Sequence, residues 1–147
     1  MIDQNSPSHP NQPDEAIELF FYAFRNFTAR ADEILAEYGL QRVHHRILFF
    51  IGRYPQLTIQ QLLSILAVSK QALHAPLRQL TEQGYILSTA AEHDRRSKQL
   101  TLSPQGQTLL ARLSAEQRTL LESVFDSVGT EGEMIWKDIM RRVAGYH

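Results

Sequence analysis

The residues best placed to do chemistry lie on one predicted helix near the middle of the 147-residue chain. Thr58 with Gln61 predicts a capped short helix, and Ser69 caps a second helix after a short turn. This pattern is typical of a helix-turn-helix, whose second helix meets base edges in the major groove with its first residues. The predicted DNA-binding residues of this segment are Ser69, Lys70, Gln71, His74 and Arg78.

The side-chain types on that helix suit a nucleic acid. Lys70 is able to donate to guanine O6 and N7, and Gln71 suits adenine N6 and N7. Ser69 caps the helix and is also able to reach a phosphate. An ordinary helical hairpin with a solvated face remains the alternative for this segment taken alone.

A predicted β-hairpin follows directly. Residues 85–89 and 99–103 are short β-prone runs, and the polar string between them predicts a charged loop at the hairpin tip. A tip of this kind places basic side chains in the adjacent minor groove, where the negative potential is concentrated. Asp94 then pairs with a wing arginine and fixes the loop, whereas a solvated charged turn is the alternative. The basic residues of the tip are Arg95, Arg96 and Lys98.

The charge distribution agrees with a single phosphate-binding face. The net charge is −1, but residues 69–107 carry five basic and three acidic side chains and are the positive part of the chain. A basic segment within an acidic frame is typical of a protein that presents one surface to nucleic acid. The absence of cysteine excludes disulfides and thiolate metal sites.

Several other functions lack a signal. The six histidines have no H-x-x-x-H spacing, and no nucleophile–base pair or phosphate loop stands out. We therefore expect no enzyme activity, no metal site and no cofactor. No apolar run is long enough to span a bilayer, and the first 15 residues do not resemble a secretory signal, which predicts no membrane contact and a cytoplasmic location.

The elements that must position these residues form a mainly α fold with a small β-hairpin wing. Residues 1–12 are predicted to be a disordered tail, because they are rich in Pro, Asn, Gln and Ser. Residues 13–147 are predicted to form one domain. Its lobe at 40–103 carries the winged helix-turn-helix, and its flanking dimerisation helices occupy 13–39 and 104–147.

The flanking helices carry more apolar surface than one chain readily buries. Apolar or small residues recur from Ile17 to Tyr38 at spacings of three and four, and Ile135 and Trp136 add apolar surface on the C-terminal flanking helices. An apolar surface of this extent predicts a partner, and a symmetric homodimer is the commonest solution. The alternative is that the two terminal helices cover each other within one chain.

The sequence resembles the MarR family of bacterial regulators. The most specific part is the string D-R-R-S-K at residues 94–98, followed by L-S-P-Q-G at 102–106, which is similar to the family's D-R-R and L-T-P-x-G pattern. The resemblance covers about residues 14–145. It implies a homodimeric repressor whose terminal helices intertwine and whose recognition helices enter successive major grooves of a pseudo-palindromic operator. It also implies that Arg96 enters the minor groove and that Asp94 orients it.

The same resemblance implies a small aromatic or anionic ligand where the dimer helices meet the DNA-binding lobe. Tyr22, Arg25, His44 and His45 are the predicted ligand-binding residues, whereas a place in the dimer core or in solvent is the alternative for the first two. Pro76 departs from the family pattern and predicts a kink or a late start in the recognition helix. It also motivates an alternative function, a winged-helix module that contacts protein and not DNA.

Overall fold

The computed structural model describes residues 13–91 and 94–146, and it gives the backbone alone for residues 91 and 94–97. The predicted tail at 1–12 lies outside the described residues. In chain order the elements are α1 (Pro13–Glu37), α2 (Arg42–Arg53), β1 (Leu57–Thr58), α3 (Ile59–Leu66), α4 (Lys70–Glu82), β2 (Ile86–Ala91), β3 (Asp94–Leu102) and α5 (Pro104–Val143).

The predicted fold class is confirmed, and the predicted caps of α3 and α4 explain where these helices begin. The Thr58 hydroxyl accepts a hydrogen bond from the Gln61 backbone N–H at 3.1 Å, and Gln61 Oε1 accepts from the Thr58 N–H at 2.9 Å. The Ser69 hydroxyl accepts from the Ala72 N–H at 3.1 Å. Each bond satisfies a donor that a helix N-terminus otherwise leaves unpaired.

The recognition helix does not start late. α4 begins at Lys70 and continues through Pro76 to Glu82, so the expected late start is wrong. Proline removes a backbone donor and crowds the carbonyl four residues earlier. The helix is retained because Ser69 caps it and because Leu73 and Leu80, on either side of the proline, are both buried.

A short strand that the sequence pattern missed joins the wing to the helix-turn-helix. β1 pairs antiparallel with β3, with Leu57 opposite Leu100, and the sheet order among the described residues is β1-β3-β2. Two residues are too few to show an alternating pattern. Leu57 and Leu100 are both buried, so this pairing fixes the base of the wing to the core.

The wing strands are longer than predicted. The charged loop expected between 89 and 99 is wrong in its extent, because β2 runs to Ala91 and β3 begins at Asp94. The register places Lys98 opposite Ala90, with an irregularity between Ala90 and Ala91. Residues 87–90 are exposed, so this part of β2 lacks the alternation of apolar and polar residues by which a half-buried strand is recognised in a sequence.

The last helix changes direction at a glycine within it. Gly129 has φ 77° and ψ 175°, which lie outside helical values, and helical conformation resumes after it. The Phe125 and Trp136 rings meet across this break with their centroids 5.2 Å apart. The chain after Gly129 therefore folds back toward the end of the preceding helical stretch.

One core holds the lobe to the flanking helices. In α1 the buried positions begin at Thr28, which leaves the first half of that helix outside the core. The largest fully buried side chains are Leu35, Ile47, Leu48, Ile51, Leu62, Leu73, Leu80, Ile86, Leu100 and Leu113.

None of the helices that the structure describes is long and apolar enough to cross a membrane.

The start of α5 lies directly against the backbone of the lobe. Gly106 is buried, and a Cβ atom added there would overlap the Tyr85 carbonyl oxygen, which already accepts a hydrogen bond from the Ser103 N–H at 3.0 Å. Backbone atoms on both sides leave little room for adjustment. Glycine is therefore required at this position by close approach.

We expect Gly106→Ala to lower the free energy of unfolding by about 3 kcal/mol, although alanine is otherwise the better helix former. The reason is the overlap with the Tyr85 carbonyl. Urea unfolding followed by circular dichroism measures it, with the exposed neighbour Gln107→Ala as the matched control. Equal midpoints for the two variants would contradict the close approach.

Candidate functional site

α4 presents a row of polar side chains along one face. Lys70, His74 and Arg78 follow each other at intervals of four residues and are exposed, and Gln71 is exposed beside them. Leu73, Leu77 and Leu80 belong to the core or lie against it, and at 100° per residue they form the strip beside this row, not opposite to it. The helix is therefore held along one side, and the polar row lies exposed at the edge of that contact.

The row continues onto the wing. Lys70, His74, Arg78 and Lys98 all line one shallow groove of about 270 Å³ between α4 and the sheet. Leu100 forms part of its apolar floor. Four of the predicted DNA-binding residues thus come together, although Lys98 lies 20 positions from Arg78 in the chain. Ser69 acts as the helix cap, and Gln71 lies outside the lining of this groove.

An acidic side chain shares this groove. Glu82 is one of its lining residues, and its Oε1 accepts a hydrogen bond from Arg78 Nε at 2.8 Å. This hydrogen bond, reinforced by the charge of the carboxylate, raises the pKa of Arg78 above its ordinary value. Both side chains are about two-thirds exposed, so the pair is screened and Arg78 is able to exchange its partner.

The side chains of Asp94, Arg95 and Arg96 lie outside the described residues. Only the backbone of this segment is described, as the first part of β3. Their roles on the wing therefore stay predictions.

A second, larger cavity of about 440 Å³ lies between α1, α2 and α5. Aromatic rings from α1 and α2 form much of its wall, and cationic side chains of α2 stand at its edge. It is the kind of concave, mostly apolar space with a few polar groups that binds small molecules. Its lining residues are Phe24, Phe27, Thr28, Ala31, Asp32, Arg42, His45, Arg46, Phe49 and Gln117.

The polar groups of this cavity are partly paired. Arg42 Nη2 lies 2.7 Å from Asp32 Oδ2, and its guanidinium lies over the Phe24 ring at 5.2 Å from the centroid. The hydrogen bond to Asp32, then the charge of that carboxylate, raises the pKa of Arg42. Burial lowers the pKa of His45 below its ordinary value of 6.5, with the Asp32 charge acting weakly in the opposite direction. His45 is therefore a neutral side chain at neutral pH.

Comparison with known proteins identifies the family. The MarR family model matches residues 38–97. The HTH-type transcriptional regulator PetP of Rhodobacter capsulatus is 35% identical over 126 residues, which cover 86% of this chain and 76% of PetP. The chain belongs to the MarR family. The resemblance inferred from the wing string is confirmed, and the chain is thereby a transcriptional regulator of the helix-turn-helix type.

Solved structures of MarR-type regulators share the fold. Streptococcus pneumoniae FabT, in complex with DNA, has a TM-score of 0.76 at 19% identity, with 90% of this chain and 95% of FabT covered. NadR in complex with 4-hydroxyphenylacetate has a TM-score of 0.74 at 19% identity, with 97% and 100% covered. At this level of identity the likeness supports the winged helix-turn-helix fold and not a particular contact.

Of the four predicted ligand-binding residues, His45 alone lines the cavity between α1, α2 and α5. The Tyr22 hydroxyl donates to Glu18 Oε1 at 2.8 Å, and the Arg25 guanidinium lies over the Tyr22 ring, so these two side chains are engaged on α1 itself. His44 is buried and contacts α4.

Most residues that line the cavity were not predicted from the sequence, although several of them share one face of a helix. Arg42 and Arg46 are four residues apart on α2, and Phe24, Thr28 and Ala31 follow each other at spacings of four and three on α1. This spacing was available in the sequence, but nothing in it shows which faces of two helices meet. No group of three potential metal ligands occurs in the described part of the chain.

Proposed function

We propose that this MarR family regulator is a sequence-specific repressor that binds double-stranded DNA as a cytoplasmic homodimer on a pseudo-palindromic operator. It acts by binding and not by catalysis, and it needs no cofactor. The observation that carries the proposal is the groove in which α4 and the wing bring Lys70, His74, Arg78 and Lys98 to one face. A protein module without DNA contact would not need this concentration of cations.

The proposed docking places the first turns of α4 in the major groove. Lys70 and Gln71 then face base edges, with lysine suited to guanine and glutamine to adenine. His74 and Arg78 follow one and two turns later along the same face. Ser69 lies at the helix N-terminus, where backbone N–H groups favour a phosphate.

The wing supplies the second part of the contact. Lys98 stands beside α4 and is exposed, and the same strand carries Arg95 and Arg96 toward its start. We propose that Arg96 enters the minor groove and that Asp94 orients it. The shape of a narrow minor groove favours arginine for electrostatic reasons.

The proposed dimer uses the flanking parts of the chain. Residues 13–39 and 104–147 form the dimerisation arm, and residues 40–103 form the DNA-binding lobe. Phe21 is 72% exposed and Met134 is 65% exposed, values unusual for side chains of this size in a single chain. The exposed apolar side chains of this dimerisation arm include Ile17, Leu19, Phe20, Phe21, Phe24, Val124, Val128, Met134, Ile135, Trp136, Ile139 and Val143.

DNA binding is tested by selecting bound duplexes from a random pool and measuring their affinity by fluorescence anisotropy at two salt concentrations. We expect a pseudo-palindrome with half-sites about one helical turn apart. Lys70→Gln and Arg96→Gln should each weaken binding about tenfold. Glu82→Gln should strengthen it about threefold, because Arg78 loses its competing carboxylate.

The control for this experiment is Lys137→Gln, which removes the same charge from the dimerisation arm and should leave affinity within about twofold. Affinity for DNA should fall steeply with salt, because bound phosphates release counterions. A folded dimer that enriches no sequence would contradict the proposal and support the protein-contact alternative.

The dimer is tested by Phe21→Glu. A carboxylate placed in an apolar interface, twice per symmetric dimer, should raise the dimer dissociation constant at least about a hundredfold. Light scattering across a dilution series measures the mass. Tyr54→Glu replaces an exposed aromatic side chain of the lobe and should stay dimeric. A wild-type chain that is monomeric at all concentrations would overturn this part of the proposal.

We also propose that an aromatic carboxylate binds in the cavity between α1, α2 and α5 and lowers DNA affinity. The aromatic walls suit a ring, and Arg42, Arg46 and His45 suit an anion. A bound anion favours the charged form of His45, so that binding takes up a proton. Because burial keeps the pKa of free His45 low, the affinity should rise as the pH is lowered from about 8 toward 5.

Calorimetry with 4-hydroxyphenylacetate and benzoate as probes measures this dependence, since both stay anionic over most of the range. His45→Gln should bind with little change in affinity across the same pH range. Tyr22→Phe, at a residue outside the cavity, is the control and should behave as the wild type. The absence of saturable binding by either probe, or a pH dependence that His45→Gln retains, would count against this site.

A further inference from the structure

His44 makes a hydrogen bond with each of its ring nitrogens although it is buried. Nδ1 lies 2.9 Å from the Gln41 backbone nitrogen, and Nε2 lies 3.0 Å from Gln79 Oε1. The residue as a whole is 5% exposed. The other end of the Gln79 side chain lies 3.5 Å from the Gly39 carbonyl oxygen. The histidine thus stands between α4 and residues 38–41, which connect α1 to α2.

The direction of every bond in this chain of contacts is determined by its two ends. The Gln41 backbone N–H is able only to donate, so Nδ1 accepts and, in the neutral ring, Nε2 carries the hydrogen. Nε2 then donates to Gln79 Oε1. The Gly39 carbonyl is able only to accept, so the Gln79 amide nitrogen faces it. The two backbone groups that end this series of hydrogen bonds belong to Gly39 and Gln41, which are only two residues apart in the sequence.

Capping alone does not explain a histidine here. The same role at the start of α3 is filled by Gln61, which accepts from the N–H of its own N-cap residue, Thr58. His44 accepts from the Gln41 N–H in the same way. The difference is a second ring nitrogen, which points across to α4.

α4 has a particular need for such a contact. Its other contacts with the core are made by Leu73, Leu77 and Leu80, and apolar contacts are not directional. Pro76 also lacks one of the backbone hydrogen bonds that hold a helix. A hydrogen bond is directional, so one to Gln79, near the end of the helix, is able to restrict rotation of α4 about its own axis.

We propose that His44 is a positioning residue that holds α4 in its DNA-reading orientation through Gln79. Its effect on DNA affinity rests on the proposed function. Its effect on the order of α4 does not, and the two are therefore measured separately.

The first measurement needs no DNA. Nitrogen-15 NMR of the histidine rings should show His44 with a hydrogen on Nε2 and a bare Nδ1. Hydrogen exchange of α4 amides should become about tenfold faster in Gln79→Leu, because a directional contact is lost, and should not change in Gln83→Leu, an exposed position on the same end of the lobe. A hydrogen on Nδ1, or equal exchange in the two variants, would overturn the proposal.

The second measurement separates positioning from general stability. His44→Gln keeps an acceptor for the Gln41 N–H, as Gln61 does in α3, and should lose the contact with Gln79. His44→Gln and Gln79→Leu should each weaken binding to the selected duplex about tenfold, and the double variant should bind no more weakly than either single variant. Additive losses would show that the two residues act independently and would contradict the proposal.

Failure of the two proposals is distinguishable. If no duplex is selected but the ring hydrogen and the exchange rates are as expected, the repressor proposal fails and the positioning of α4 stands. If DNA binds and both variants bind it as the wild type does, the positioning role fails and the repressor proposal stands.

Discussion

The geometry of the whole chain depends on the contact at Ser103, where the lobe passes into α5. Its buried hydroxyl donates to the Gly84 carbonyl at 2.6 Å and accepts from the Gly106 N–H at 3.0 Å. One side chain thus joins the end of the α4 segment to the first turn of the long helix. With Gly106 against the Tyr85 carbonyl, this contact sets the angle between the recognition helix and the proposed dimerisation arm. In a symmetric dimer that angle determines how far apart the two recognition helices stand.

A low net charge does not conflict with a phosphate-binding face. The chain carries a net charge of −1, yet Lys70, His74, Arg78 and Lys98 share one groove. Electrostatic attraction is screened beyond about 10 Å at moderate salt, so the charges close to the ligand decide binding. Glu82 is the exception within this groove. Its ion pair with Arg78 is exposed and therefore weak, and a phosphate is a competing partner for the same guanidinium.

The sequence predicted local features well because their causes are local. The caps at Thr58 and Ser69 depend on neighbouring residues and were confirmed. β1 was missed because its partner, Leu100, lies 43 positions away from Leu57. A ligand site where the dimer helices meet the lobe was expected, but most of the cavity lining and the contact of His44 with α4 were missed for the same reason, since packing between distant elements decides which helix faces meet. Pro76 was given too much weight, because buried leucines on both sides of it retain the helix.

α2 contributes to both of the features that govern the proposed regulation. His45 lines the cavity, and its neighbour His44 contacts α4 through Gln79. Adjacent residues on a helix point about 100° apart, so one helix end serves two separate surfaces. α2 is also packed firmly into the core, because Ile47, Leu48 and Ile51 are almost completely buried.

A ligand bound at the proposed site in this cavity would therefore act on α2, the helix that contacts the recognition helix through His44. It changes DNA affinity only as far as its own affinity differs between two arrangements of that helix, since a ligand that binds both equally shifts neither. The polar groups give a physical basis for such a difference. Arg42 is paired with Asp32 in the present arrangement, and an anion that competes for this guanidinium favours an arrangement in which the pair is broken. Because Asp32 belongs to α1 and Arg42 begins α2, a ligand that broke the pair would remove one contact across the α1–α2 junction, next to which His44 bonds Gln41.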